Sequence, residues 1–171
     1  TAYWNTVRPQ ESFELFSEAL DGLDEDDPDD QPILAMVMND RAWALAYLGR
    51  IDEAVQQAKR SLELSRPFHA EHPWLAFDPM NVMLSVSRLN GDFASARAYA
   101  REGIRLVKEV EGEWYFDLFD AGFRMDLGAT EVALGNYRQA EQCLRRALTV
   151  FRQGARRIRL VVTLEYLGTL Y

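Results

Sequence analysis

Apolar residues recur at three- and four-residue spacing in eight segments of this chain, and polar residues fill the positions between them. That period belongs to amphipathic helices rather than strands. It predicts helices over residues 9–23, 32–48, 51–65, 79–90 (with a weaker start near 71), 92–110, 113–134, 136–153 and 157–171. Asp78-Pro79 reads as a cap followed by a first-turn proline, which is why the fourth helix is placed to begin there.

The pattern repeats. Gly49, Gly91 and Gly135 each end an apolar-periodic run. Two positions on come Ile51, Phe93 and Tyr137, expected to pack back over the turn. Five on come Ala54, Ala96 and Ala140; twelve on, the small residues Ser61, Gly103 and Ala147. Thirteen on come Leu62, Ile104 and Leu148, and fifteen on Leu64, Leu106 and Val150. Glycine accepts the left-handed backbone that closes a helix. The small residues admit a neighbouring helix at close range, and the aliphatics share one face. Seven positions before the glycines lie Ala42, Leu84 and Gly128, again inside helical patterns. Each unit thus reads as helix, tight turn, helix.

With the Leu-Gly pair at Leu127-Gly128, the turn glycine and the alanine five later, "LGATEVALGNYRQAEQCLRRAL" (127–148) resembles the tetratricopeptide repeat. Leu167-Gly168, with Tyr171 three later, echoes the opening of that motif. The resemblance covers nearly the whole chain in three registered copies. The turn glycines are 42 and 44 residues apart, longer than the family's usual period of about 34. Units this long are similar to those in bacterial regulator arrays and kinesin light chains. HEAT and armadillo repeats share the length but lack the glycine and alanine phasing. The implied fold is all-α, a right-handed α-solenoid of stacked antiparallel helix pairs with about three full units and partial units at both ends.

The expected organisation is one array over 1–171. It comprises a partial unit 1–30, units 31–66, 67–110 and 111–154, and a partial unit 155–171. In this register Ser12 takes the alanine position, Ala19-Leu20 the later small-plus-aliphatic position, and Pro9 opens a second helix whose partner is a stub with Tyr3 and Trp4. Neither end carries a polar cap, so the chain reads as a fragment of a larger protein. Phe13, Phe16 and Leu20 at one end, and Ile158, Val161, Leu164 and Leu167 at the other, favour self-association through the terminal helices. Arg145, Arg146, Arg152, Arg156, Arg157 and Arg159 would assist it electrostatically.

Charge narrows the partners. The net charge of −8 disfavours direct nucleic-acid binding. Residues 1–85 hold 6 basic and 16 acidic side chains, net −10, whereas 86–171 hold 13 and 11, net +2. Only Lys59 and Lys108 are lysines among the 19 basic residues, a bias common in GC-rich bacteria. No apolar run reaches the ~20 residues of a membrane span. The single Cys143 reads as a small buried filler and suits a reducing compartment, so a cytoplasmic setting is expected.

Candidate chemistry is sparse. No nucleotide-binding glycine motif, metalloprotease helix or nucleophile elbow occurs, so neither catalysis nor a cofactor is expected. "DEDDPDD" (24–30) lacks the alternation and bend glycine of a calcium loop and reads as a solvated connector supplying N-caps to the next helix. His69 and His72 are three apart without a third ligand, and no metal is expected. Phe116, Phe119 and Phe123 share a core face, while Trp114 and Tyr115 point elsewhere and suit a groove.

What remains is binding. In tetratricopeptide arrays the first helix of each unit lines a concave surface. Carried over by position, that surface would present Asn39, Asp40 and Trp43, then Asp78, Asn81, Ser85 and Arg88, then Met125, Asp126 and Ala129, with Glu165 and Thr169 last. Asn39 and Asn81 suit a peptide backbone. Asp40, Asp78 and Asp126 stand where some relatives clamp a carboxylate with basic residues, which favours a basic or apolar protein or peptide. The reading is a protein-interaction module in a larger bacterial signalling or transcription-regulatory protein. Its alternatives are a small-ligand sensor domain of a regulator NTPase and a self-assembly array.

Overall fold

Three turns fix the helix pairs. In the computed structural model, which describes residues 8–110, 114–154 and 157–171 (without the side chains of Trp114 and Tyr115), Gly49, Gly91 and Gly135 have φ of 75°, 77° and 74°. In each turn the glycine amide donates to a carbonyl three residues back, and the next amide reaches five back: Arg50 to Leu45, Asp92 to Ser87 and Asn136 to Glu131 at 2.8–2.9 Å. This pair of hydrogen bonds satisfies carbonyls that a helix end leaves open.

The helices are α1 (Pro9–Asp21), α2 (Gln31–Tyr47), α3 (Ile51–Ser65), α4 (Trp74–Leu89), α5 (Phe93–Glu109), α6 (Trp114–Ala133), α7 (Tyr137–Gln153) and α8 (Arg157–Gly168). The described residues include no strand. Within the first unit α2 packs on α3 most extensively and α1 on α2 less so; within the second α6 packs on α7, then α5 on α6 and α7 on α8. The chain forms two compact units, Thr1–Val86 and Ser87–Tyr171.

The registered small positions are where helices meet. Ala54, Ala96 and Ala140 are fully buried, as are Ala42, Leu84 and Ala147. In the first unit Leu34, Ala35 and Leu45 of α2 are buried, and the Ser61 hydroxyl donates to the Ala35 carbonyl at 2.7 Å across the α2–α3 contact. In the second, a Cβ on Gly128 would lie 2.6 Å from Leu144 Cγ, and one on Gly103 would overlap the buried Phe123 ring. Only glycine permits those approaches. Met125, Leu144, Leu148, Phe151 and Leu167 form the core shared by α6, α7 and α8.

Four expectations need correction. The fourth helix starts at Trp74, five residues before Pro79, so the proline is internal rather than in a first turn. Its ring leaves the Leu75 carbonyl without the usual amide partner. The buried Ser65 hydroxyl lies 3.4 Å from that oxygen and 2.9 Å from His69 Nε2. With Nε2 protonated, His69 donates to Ser65 and frees the serine proton for a carbonyl. The second correction is at Asp30, which occupies the N-cap position of α2 without capping it. Its carboxylate instead accepts from the Asp24 amide at 2.9 Å, closing the acidic loop on itself, and Glu25 pairs with Arg60 of α3. Third, Ile51 and Phe93 are half-buried near their turns, but Tyr137 is 60% exposed and covers nothing comparable. Fourth, α1 and α8 end two and three residues early, each in a turn. The stub with Tyr3 and Trp4 lies outside the described residues.

Candidate protein-binding surface

Helix α2 carries apolar residues on more than one side. One side buries Leu34, Ala35, Ala42 and Leu45. Another carries Ile33, Met36, Asp40, Trp43 and Tyr47, spaced 3, 4, 3 and 4, and leaves Ile33 46%, Met36 49% and Tyr47 59% exposed. Trp43 is half-buried and stacks on Tyr47, with ring centroids 6.1 Å apart and planes at 28°. Asp40 is half-buried at the middle of this row, and burial pushes its carboxyl up to about 6. Asn39, the neighbouring candidate, turns inward: it is 3% exposed, and its Oδ1 has no hydrogen-bond partner.

On α4 of the same unit, Asp78, Asn81 and Ser85 are half-buried at successive three- and four-residue steps. Between α3 and α4, His69 is spent on Ser65, and burial lowers its pKa. His72 lies against the Trp74 ring at 4.7 Å. Among the described residues no three metal-ligating side chains cluster.

In the second unit, Arg88 at the end of α4 joins α6 and α8. Its Nη1 donates to the Tyr166 hydroxyl at 2.9 Å, and its Nη2 lies 3.6 Å from Asp126 Oδ1. Burial raises the Asp126 pKa, opposed by Arg88 and then Arg159. Met125 packs in the core and Ala129 is buried. Glu165 and Thr169 are exposed, the Thr169 hydroxyl donating to the Tyr166 carbonyl at 2.7 Å. The groove expectation for Trp114 and Tyr115 lies outside the described side chains. Phe116 and Phe123 are buried as expected of a core row, and Phe119 is half-buried.

Two groups escaped the sequence reading. One is the row of Ile33, Met36 and Tyr47 flanking Asp40 and Trp43, whose spacing was legible in the sequence. The other is Glu131, fully buried on α6. Arg97 of α5 grips it through Nε at 2.9 Å and Nη2 at 2.5 Å, and Asn136 Nδ2 donates to it at 2.8 Å. Nothing in its helical spacing marked Glu131 as more than a surface carboxylate. Cys143 is buried, and burial raises its thiol pKa, disfavouring the reactive thiolate.

A tetratricopeptide repeat family model matches residues 1–66, and a second tetratricopeptide repeat model matches residues 121–153. No curated protein matches the chain in sequence. Among solved structures, the chain is similar to the crystal structure of BtubC (BKLC) from P. vanneervenii, with a TM-score of 0.73 at 16% identity. The match takes in 100% of this chain and spans 66% of that one. At this identity the likeness shows the fold.

Proposed function

Because the chain belongs to the tetratricopeptide repeat family, whose repeats generally mediate protein–protein interaction, we propose that it is a non-catalytic module binding a peptide or protein segment on the first helices of its pairs. We place it within a larger bacterial signalling or transcription-regulatory protein. One observation carries the binding reading: where apolar side chains meet water. Among the described residues, α3 and α5 expose no large hydrophobic side chain, α1 exposes Leu15 alone and α7 Tyr137 alone. Helix α2 exposes Ile33, Met36 and Tyr47, and α8 exposes Ile158, Val161 and Leu164. Contiguous exposed apolar rows rimmed by polar groups mark association surfaces.

The residues proposed to contact a partner are Asp40 and Trp43 on α2, and Asp78, Asn81 and Ser85 on α4. Arg88, with Glu165 nearby in the sequence of α8, forms a separate candidate in the second unit, with the buried Asp126 holding Arg88 in place. Asn39 and Met125, being buried, would position these neighbours. The surplus of acidic groups in residues 1–85 suits a basic or apolar partner there. The arginine-for-lysine bias supports the bacterial setting.

A displayed random-peptide library selected on the folded chain tests the binding reading. The expected result is enriched peptides whose affinity falls on Asn81→Ala or Asp40→Lys while the thermal melt of Asn81→Ala stays that of the wild type. No enrichment over an unrelated helical protein, or affinity indifferent to every one of Asp40, Asn81 and Arg88, would reject it. An NTPase or helix-turn-helix domain beside this segment in its parent gene would support the regulatory setting. A catalytic neighbour would replace that setting with a targeting role.

A further inference from the structure

We propose that α2 docks one amphipathic helix of a partner protein, and that this helix carries a single lysine or arginine amid its apolar row, seated opposite Asp40. The proposal rests on the binding reading above and specifies its partner. Ile33, Met36, Asp40, Trp43 and Tyr47 follow the alternating three-four spacing with which one helix offers a seam to another. The row runs about 21 Å along α2 at ~1.5 Å per residue. Successive seam positions therefore fall about 5 Å apart, which matches the same spacing on a second helix. An extended peptide places side chains on one face every ~6.6 Å and would lose register within a few residues.

The remainder of α2 is already committed. Leu34, Ala35, Ala42 and Leu45 are buried, and the Ala35 carbonyl holds Ser61 of α3. A helix with apolar residues around much of its circumference is normally covered there, and the Ile33–Tyr47 row is a side still partly in water. Its chemistry selects the cover. Asp40 is the sole charge in that row; burial outweighs the attraction of the chain's N-terminus for it, and among the described residues no lysine or arginine forms an ion pair with it. An all-apolar partner would bury this carboxylate without compensation, and an acidic one would add repulsion. A lysine or arginine compensates the charge and fixes the register of the two helices, as single polar groups do in helix seams.

The test uses synthetic peptides of about 18 residues, or five helical turns, with leucine at the seam positions and neutral flanks. They differ at one central seam position: lysine, leucine or glutamate. Fluorescence anisotropy with the 171-residue chain should give about tenfold tighter binding for lysine than for glutamate. Asp40→Lys should invert the order, Asp40→Asn should flatten it to within about threefold, and Met36→Glu should abolish binding of all three. Circular dichroism should show the bound peptide as helix. Equal affinities for the three peptides, or an order unchanged by both Asp40 variants, would overturn the proposal. A self-associated wild type, released by Leu164→Glu and only then able to take peptide, would assign the seam to α8 of a second copy and overturn the partner helix. Library peptides that respond to Asn81 or Arg88 but not to Asp40 would overturn this seam while leaving the binding reading intact.

Discussion

Asp40 on α2 and Asp126 on α6 stand on corresponding first helices, yet the two units treat them in opposite ways. Asp126 is buried and answered within its own unit by Arg88, which is itself tied to Tyr166. Asp40 sits half-buried in an apolar row, with no ion pair to a described arginine or lysine. Glu131 extends the contrast, since three groups of its own unit surround one carboxylate: Arg97, Arg101 and Asn136. A charge answered from within stabilises a fold. A charge not answered by an ion pair from within costs the isolated fold something.

Breaking the internal pairings should have the largest effect. Arg97→Ala leaves the fully buried Glu131 with Arg101 at 3.9 Å and one amide donor. Removing one partner of a buried pair costs about 3–5 kcal/mol, and the expected outcome is a loss of that order in urea unfolding. A loss below about 1 kcal/mol would mean that the pair behaves as a surface contact. Arg88→Met comes next. It retains the aliphatic packing but strips Asp126 of its nearest cation, for an expected loss of about 1–2 kcal/mol. Protonation limits this loss, because burial already favours the neutral acid at Asp126.

The smallest effect sharpens the contrast by its sign. The folded-state pKa of Asp40 is raised from 3.8 to about 6. A raised carboxylate contributes stability below its unfolded pKa and loses it as pH rises through the folded value. Asp40→Asn should therefore match the wild type near pH 3 and melt higher at pH 7. The gain should be about 1–2 °C, because Asp40 keeps part of its hydration. A variant that melts lower at pH 7 would show the carboxylate to be paired in the fold.

The repeat frame was legible because it depends on residues with no substitute. Only glycine adopts φ near +75° without cost, and only small side chains fit at Ala54, Ala96 and Ala140, so register alone located three helix pairs. The start of α4 was not legible. Local rules place Pro79 in a first turn, whereas in the structure the Leu75 carbonyl that the proline leaves open has the Ser65 hydroxyl, fourteen residues before the proline, 3.4 Å away, with the Leu62 carbonyl also within reach of that hydroxyl at 3.2 Å. Asp30 misled for a similar reason: a helix-capping residue in a run of aspartates has competing amides within reach, and Asp24 won. Glu131 was hidden because burial of a carboxylate is decided by Arg97, thirty-four positions away in sequence. Asp40, Trp43, Arg88 and Asp126 were all named from position, but which carboxylate would find an arginine depended on helix packing.

The three turns also make the molecule its own gauge of cooperativity. At Gly49, Gly91 and Gly135 a Cβ would meet no atom within 4 Å, so alanine there perturbs the backbone and nothing else. The left-handed conformation costs an alanine about 1–2 kcal/mol, and the same penalty is thereby available at one site in Thr1–Val86 and two in Ser87–Tyr171. Three substitutions of equal chemical size act as reporters of how far an opening spreads. If all three lower one shared unfolding transition equally, the helices melt as a single block. If each lowers the hydrogen-exchange protection of its own neighbours alone, the repeats open one after another, in the manner of a one-dimensional chain coupled only between neighbours.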